Sequence, residues 1–243
     1  MNGRLQRSDL LRVFARLLFI QATLHRKGMQ NIGVLHALSG AAPKLSTDPT
    51  ALLARHADHF NTNPNAAPVV IGGVLRIEEE RSTSAPASLA RFKQAACSAL
   101  AAMGDVLVVG GLKPLALTLA IVSAIYSFFP GLVAIVVAYN AALLYGRYWG
   151  LAFGYRWGWG VVDAFTGPRV QRVVMLARIA AAVAGGALSV VVARRAYAQG
   201  LTELVLAALA VLGAWFAMKR GLNVARLAIA LFPLAVVIAI LMK

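Results

Sequence analysis

The chain has 243 residues, of which 60% are hydrophobic, with a mean hydropathy of +0.72 and a formal net charge of +15. So large an apolar share lies above the roughly 45–50% of soluble domains and excludes a wholly soluble protein. The charge does not point to nucleic acid. Basic residues outnumber acidic ones 10 to 6 in 1–81 and 14 to 3 in 82–243, so most of the excess lies between apolar runs, where Lys and Arg flank membrane spans, and no nucleic-acid motif accompanies it.

Taken in chain order, "RLQRSDLLRVFARLLFIQATLHRK" is basic and partly apolar. Arg12, Arg16 and Gln21 interrupt it, so it lacks the unbroken apolar core of a signal peptide. The pattern predicts an amphipathic helix lying on a membrane surface or against a partner. "DPTALLARHADHF" predicts a helix with Asp48 as N-cap and Pro49 at the first helical position. Leu52, Leu53, His56 and Phe60 then share a face.

"FNTNP", Phe60 to Pro64, predicts a turn, because Asn and Thr side chains bond nearby backbone and Pro64 disfavours helix at Asn63. Asn61 and Asn63 serve that corner alone, or present amides to a hydroxyl-rich ligand, which needs donor and acceptor together. In "VVIGGVL" the glycine pair and the acidic run behind it favour a helix break. "RIEEER" reads as a solvated helix face, or as carboxylates, Glu78 and Glu79 among them, that meet a basic partner or a sugar. "PASLARFKQAACSALAAMG" predicts a helix ending at Gly104. Its Cys97, the only cysteine in the chain, reads as a small buried residue.

Asp105 then opens the first of five apolar runs, at 106–126, 128–146, 174–193, 201–218 and 224–241. Each approaches the ~20 residues that cross a ~30 Å hydrocarbon core. Gly110, Gly111, Lys113 and Pro114 interrupt the first, which makes a broken or re-entrant helix an option, and Pro233 interrupts the fifth. Asp105 has a structural helix-entry role and a substrate role both open to it, and Lys113 either pairs with it or snorkels to the headgroups. Loop charge puts "SFFPG" outside and 147–173, with Arg147, Arg156, Arg169 and Arg172, inside; Arg194 and Arg195 fall outside in a five-span scheme, against the positive-inside rule.

The fold class expected is therefore all-α: a polytopic membrane protein with a mixed-polarity helical portion, 1–105, and a transmembrane portion, 106–243. His25, His36, His56 and His59 form no metal motif, and the glycines form neither a P-loop nor a dinucleotide pattern. No metal, cofactor or catalytic set is expected.

Several stretches match one family in order. "QATLHRKGMQ" resembles "QASWNYERMQ", "HADHFNTNP" resembles "HLEFFNTHP", and "APVVIGGVLRIEEE" resembles "APxxxGxxxAxEE". "LAAMGDVLVVGGLKPL" resembles "LAGIGDxxFWxxxRPI", and "LLYGRYWGLAFGYRWG" resembles "LLxRYYGLxYGYKLG". Over about residues 10–160 the chain thus resembles the enzyme IID subunit of the mannose–fructose–sorbose type sugar phosphotransferase permeases. It departs from the family's pattern at Leu24, His25, Lys27, Gly28 and Asn63.

The resemblance implies a multi-pass subunit of the bacterial inner membrane that forms a hetero-oligomer with a IIC membrane subunit. Together they would admit a hexose or amino sugar, phosphorylated through soluble IIB and IIA phosphocarriers, with membrane lipid around them. It implies that His56–Glu80 belongs to the permease core, with Asn61, Asn63, Asp105, Glu78, Glu79 and His25 as candidate sugar-binding residues. The altered positions leave a second reading open, a diverged IID-like subunit that regulates or assembles rather than transports.

Overall fold

The computed structural model describes residues 5–80 and 86–199, with Val205 and Gly213. The described residues are mainly helical, and they pair as β-structure only at two isolated bridges, His25 with Met29 and Met29 with Phe60. The chain forms two compact units, Met1–Gly185 and Gly186–Lys243.

The first unit begins with α1, Arg7–Leu17. The side chain of Asp9 accepts from the Gln6 backbone at 2.8 Å and closes the first turn. Asp9 is almost fully buried, and Lys44 Nζ meets it at 2.8 Å. Burial alone pushes its carboxyl up, but Lys44, the Gln6 backbone and Arg12 together hold it below the usual carboxylate range. Val13, Leu17 and Ile20 complete the buried face. Three short helices follow: α2 (Asn31–Leu38), α3 (Ala42–Leu45) and α4 (Pro49–Ala54). The cap expected of Asp48 is present, its Oδ1 accepting from Ala51 N at 2.9 Å with Pro49 at the first helical position. Leu52, His56 and Phe60 are buried as their spacing predicts.

The centre of this unit is α5, Ala67–Glu79, buried at every residue from Ala67 to Leu75. The sequence favoured a break at its glycine pair; the helix instead runs through. The glycines serve approach, not interruption. A Cβ on Gly72 would lie 2.2 Å from the Leu151 carbonyl oxygen, and one on Gly154 would lie 2.0 Å from the Val69 carbonyl oxygen. Backbone therefore meets backbone between α5 and α8, Phe129–Trp157.

The helix expected to end at Gly104 also continues. α6 (Pro86–Gly104) passes through a π-helical stretch, Asp105–Leu112, into α7 (Lys113–Ile125). The first apolar run is thus an unbroken helix, neither broken nor re-entrant. The wide turns end where Pro114 lacks a backbone donor and its ring would crowd the carbonyl four residues back, so the irregularity absorbs the proline. A turn with Ser127 at φ 53° leads into α8. A 3₁₀ turn at Gly158–Gly160, α9 (Val161–Thr166) and α10 (Pro168–Gln199) complete the described elements.

Among the described residues, three helical stretches are long and apolar enough to cross a membrane: Ser88–Ile125, Phe129–Thr166 and Pro168–Arg195. They contain the first three apolar runs; the runs at 201–218 and 224–241 lie outside the described residues, apart from Val205 and Gly213. The segment 147–173 is almost wholly helical, since α8 extends past the apolar run. Of the second unit, the described part is mainly the last stretch of α10.

Candidate functional site

The corner Phe60–Ala67 is fastened from both sides. Gln30 Nε2 donates to the Thr62 carbonyl at 2.9 Å, and Thr62 N donates back to Gln30 Oε1 at 3.1 Å. The Thr62 hydroxyl donates to the Cys97 carbonyl on α6 at 3.0 Å. All three residues are buried, so these bonds satisfy groups that would otherwise cost about 1–3 kcal/mol each.

Asn63 starts α5. Its Oδ1 accepts from Asn65 N at 2.9 Å, and its carbonyl accepts from Ala66 N and Ala67 N, both at 2.9 Å. This leaves Nδ2 to donate to Asp105 Oδ1 at 2.7 Å. A Cβ on Gly104 would lie 2.7 Å from Asn63 Cβ, so the glycine before Asp105 is what lets the corner approach this continuous helix. Asp105 is exposed, and Oδ2 has no partner among the described residues. From α8, Arg147 Nε donates to Asn65 Oδ1 at 2.8 Å. An apolar cavity of about 120 Å³ lies beside this contact, bounded by Gly104, Val108, Gly146 and Trp149.

These polar groups share a level. Counted back from the Tyr126–Phe128 turn at 1.5 Å per residue, about 30 Å of helix ends near Asp105 on one side and near Tyr148 on α8. That is the thickness of a hydrocarbon core. An exposed carboxylate and an arginine are affordable at such a boundary and costly within it.

Asn61 turns elsewhere. It is exposed and lines an open cleft of about 620 Å³ with Asp58, His59, Lys93, Gln94 and Ser98. Of the sequence-predicted residues, Asn63 and Asp105 are therefore in contact, and Asn61 flanks them on the same corner.

Glu78 and Glu79 stand at the other end of α5, about 18 Å along the axis from its start. Glu78 forms a two-pronged pair with Arg55 and accepts from His56 Nε2 at 2.8 Å. Burial pushes the Glu78 carboxyl up, but His56 and Arg55 outweigh it and hold the group below the usual range. Burial holds His56 below its ordinary value against the pull of Glu78. Among the described residues His56 Nδ1 has no partner. Glu79 accepts from Tyr155 at 2.6 Å, from Arg76 at 3.2 Å and from the Leu5 backbone. Burial lowers the Arg76 guanidinium, but Glu80 and Glu79 override it and raise it overall. Both carboxylates thus fasten helices together.

His25 sits in its own loop. Nε2 lies 3.0 Å from Asn31 Oδ1, and Gly28 N donates to Nδ1 at 3.3 Å. One tautomer, with hydrogen on Nε2, satisfies both contacts. A Cβ on Gly28 would strike the Asn31 side chain at 2.4 Å, so the changes at 25 and 28 are read together in one closed turn.

Gln30, Thr62, Asn65 and Arg147 were not singled out as site residues. Gln30 could have been found as the preserved end of "QATLHRKGMQ", and Arg147 as a lone charge directly after an apolar run. Nothing local marks Thr62 or Asn65 beyond the turn that contains them. Among the described residues no three His, Cys, Asp or Glu side chains gather as a metal site would require.

Residues 4–242 match the PTS system mannose/fructose/sorbose family IID component. The chain is 26% identical over 185 residues to the sorbose-specific EIID component of Lacticaseibacillus casei, covering 71% of this chain and 64% of that protein. It is 27% identical over 192 residues to the mannose-specific EIID component of Escherichia coli K12, covering 76% of this chain and 68% of the relative. The chain thus spans about two thirds of the length of these curated relatives. In fold it is similar to a chain in the cryoEM structure of the mannose transporter ManYZ with microcin E492, with a TM-score of 0.61, 21% identity and 96% of each chain covered. A second solved membrane protein matches with a TM-score of 0.78 at 22% identity, covering 97% of each chain. At these identities the structures speak for the fold, whereas the family match extends over nearly the whole sequence. This chain, a helical membrane protein, belongs to the IID components of the mannose/fructose/sorbose family of the PTS.

Proposed function

We propose that this IID component works as a multi-pass protein of the bacterial inner membrane, paired with a IIC subunit, to admit a hexose or amino sugar that IIB and IIA phosphorylate. The observation that carries the reading is the Asn63–Asp105 hydrogen bond at 2.7 Å. It holds an exposed carboxylate at a membrane boundary with one oxygen unpartnered among the described residues, while the exposed amide of Asn61 lines a separate cleft that reaches Ala101, one helical turn before Asp105. A carboxylate and an amide together offer the acceptors and donors that sugar hydroxyls need. The sorbose- and mannose-specific names of the relatives support the substrate class.

Within this reading Asn61 and Asp105 face the sugar, Asn63 orients Asp105, and Glu78, Glu79 and His25 maintain the scaffold around them. Co-expression with IIC, IIB and IIA partners and measurement of labelled-sugar uptake test it. Asn61→Ala combined with Asp105→Asn is expected to lower uptake at least about tenfold, the loss of two hydrogen bonds at about 1 kcal/mol or more each, while the complex still assembles. Wild-type uptake by an intact variant complex overturns the site.

A second reading, a IID-like subunit that assembles or regulates without transporting, draws on the closed His25–Gly28–Asn31 turn where the family pattern differs. It requires that the wild-type complex assemble, insert and import no sugar.

A further inference from the structure

The exposed face of α1 and of the turn after it carries an apolar stripe, flanked by Arg7, Ser8 and Arg12. Leu11, Ala15, Leu18 and Phe19 are exposed, with Leu11 at 50% and Phe19 at 64%. They recur at the three- and four-residue spacing of one helical stripe, opposite the buried Asp9, Val13 and Leu17. A soluble protein rarely turns such a stripe outward.

The position of the stripe says what covers it. Phe14, on its flank, stacks edge-on against Tyr148 of α8 at 5.5 Å. Tyr148 is where about one hydrocarbon thickness of α8 ends, counted from Phe129. Its neighbours Tyr145 and Trp149 are exposed, at 70% and 44%, as in the aromatic belt of a membrane–water interface. α1 is thus fastened to the boundary itself. Exposed bases attend the stripe: Arg7 at its start, Arg26 and Lys27 in the loop just beyond.

We infer that α1 and the loop after it form an interfacial anchor, the stripe entering the acyl boundary and Arg7, Arg26 and Lys27 binding anionic lipid headgroups. An apolar face rimmed by cations at interface height is the chemistry of an in-plane helix on a negative leaflet. The assignment rests on the membrane placement of α8 and is independent of whether sugar is transported.

The test uses the full chain in nanodiscs, with a nitroxide at Ala15→Cys or Leu18→Cys in a Cys97→Ala background. Collisions with oxygen, which concentrates in lipid, are compared with collisions with a water-soluble nickel chelate. In phosphatidylethanolamine–phosphatidylglycerol discs both labels are expected to favour oxygen. In neutral phosphatidylcholine discs, or with Arg26→Gln and Lys27→Gln together, the ratio is expected to fall severalfold toward the chelate. Three results overturn the inference. Labels that favour the chelate in both lipids show a face in water. Labels shielded from both reagents and immobilised show a face covered by protein, a IIC subunit or a second copy. An oxygen preference indifferent to phosphatidylglycerol and to the two substitutions shows burial without headgroup recognition.

Discussion

At the scale of single residues, His56 shows how a polar side chain is tolerated in a core. Its ring is buried, donates Nε2–H to Glu78 and leaves Nδ1 without a partner among the described residues. A second proton on Nδ1 would have no acceptor, so the folded protein resists charging this ring. The unfolded chain accepts that proton near the ordinary value of 6.5. Folded binds fewer protons than unfolded, so the stability from this group is complete above 6.5 and is lost as pH falls below it. Glu78, also held low when folded, adds a loss of the same sign below its ordinary value of 4.5. Denaturation of the solubilised protein between pH 7.5 and 5.5 is expected to show stability falling by up to about 1.4 kcal/mol per pH unit from His56. His56→Gln is expected to flatten that slope, and an unchanged slope would show that another group titrates there.

At the scale of elements, the contact between α5 and α8 rests on missing side chains. The approach at Gly72 and Gly154 is backbone to backbone, with no flexible chain end to yield. Gly154→Ala is expected to cost about 1–3 kcal/mol or more, since the helices must part to admit one methyl group. Gly146 lies on the same helix, and a Cβ there meets nothing within 4 Å. Gly146→Ala is therefore expected to be neutral or slightly stabilising, by up to about 1 kcal/mol through helix propensity. Thermal unfolding in detergent compares the two; equal effects would mean that the close approach does not limit packing.

At the scale of the whole molecule, the same helices set an orientation. The uncharged turn before α8 and the basic segment after Arg147 lie at opposite ends of a helix longer than a bilayer is thick. Arg156, Arg169 and Arg172 follow Arg147, so the positive-inside rule predicts a cytoplasmic position for that end. In a Cys97→Ala background, Phe129→Cys is expected to react with an impermeant thiol reagent from outside the cell, and Arg169→Cys only after the membrane is opened. Both native side chains are exposed, so the substitutions disturb little packing. Labelling in the opposite sense would invert the orientation.

The sequence by itself determined the helical membrane class, because apolar run length and charge placement are local properties of the chain. It also determined the Asp48 cap and the turn at "FNTNP", where residue type dictates backbone conformation within a few positions. Local rules misread the glycines of α5 and the Gly–Pro interruption after Asp105. They ask what a residue does to its own helix, whereas these residues answer to neighbouring ones: Gly72 faces α8, Gly73 faces Phe92 of α6 and the Gly158–Val161 turn, and the π-helical turns accommodate Pro114 without ending the span. The candidate site divides in the same way. Asn63 and Asp105 stood out by chemistry, but 42 residues separate them in sequence, and only the approach at Gly104 joins them. Glu78 stood out by the same chemistry, and tertiary packing gave it Arg55 and His56 instead. Residue type sets which hydrogen bonds a side chain is able to make; the packing of α5 between α6 and α8 decided which of them are made.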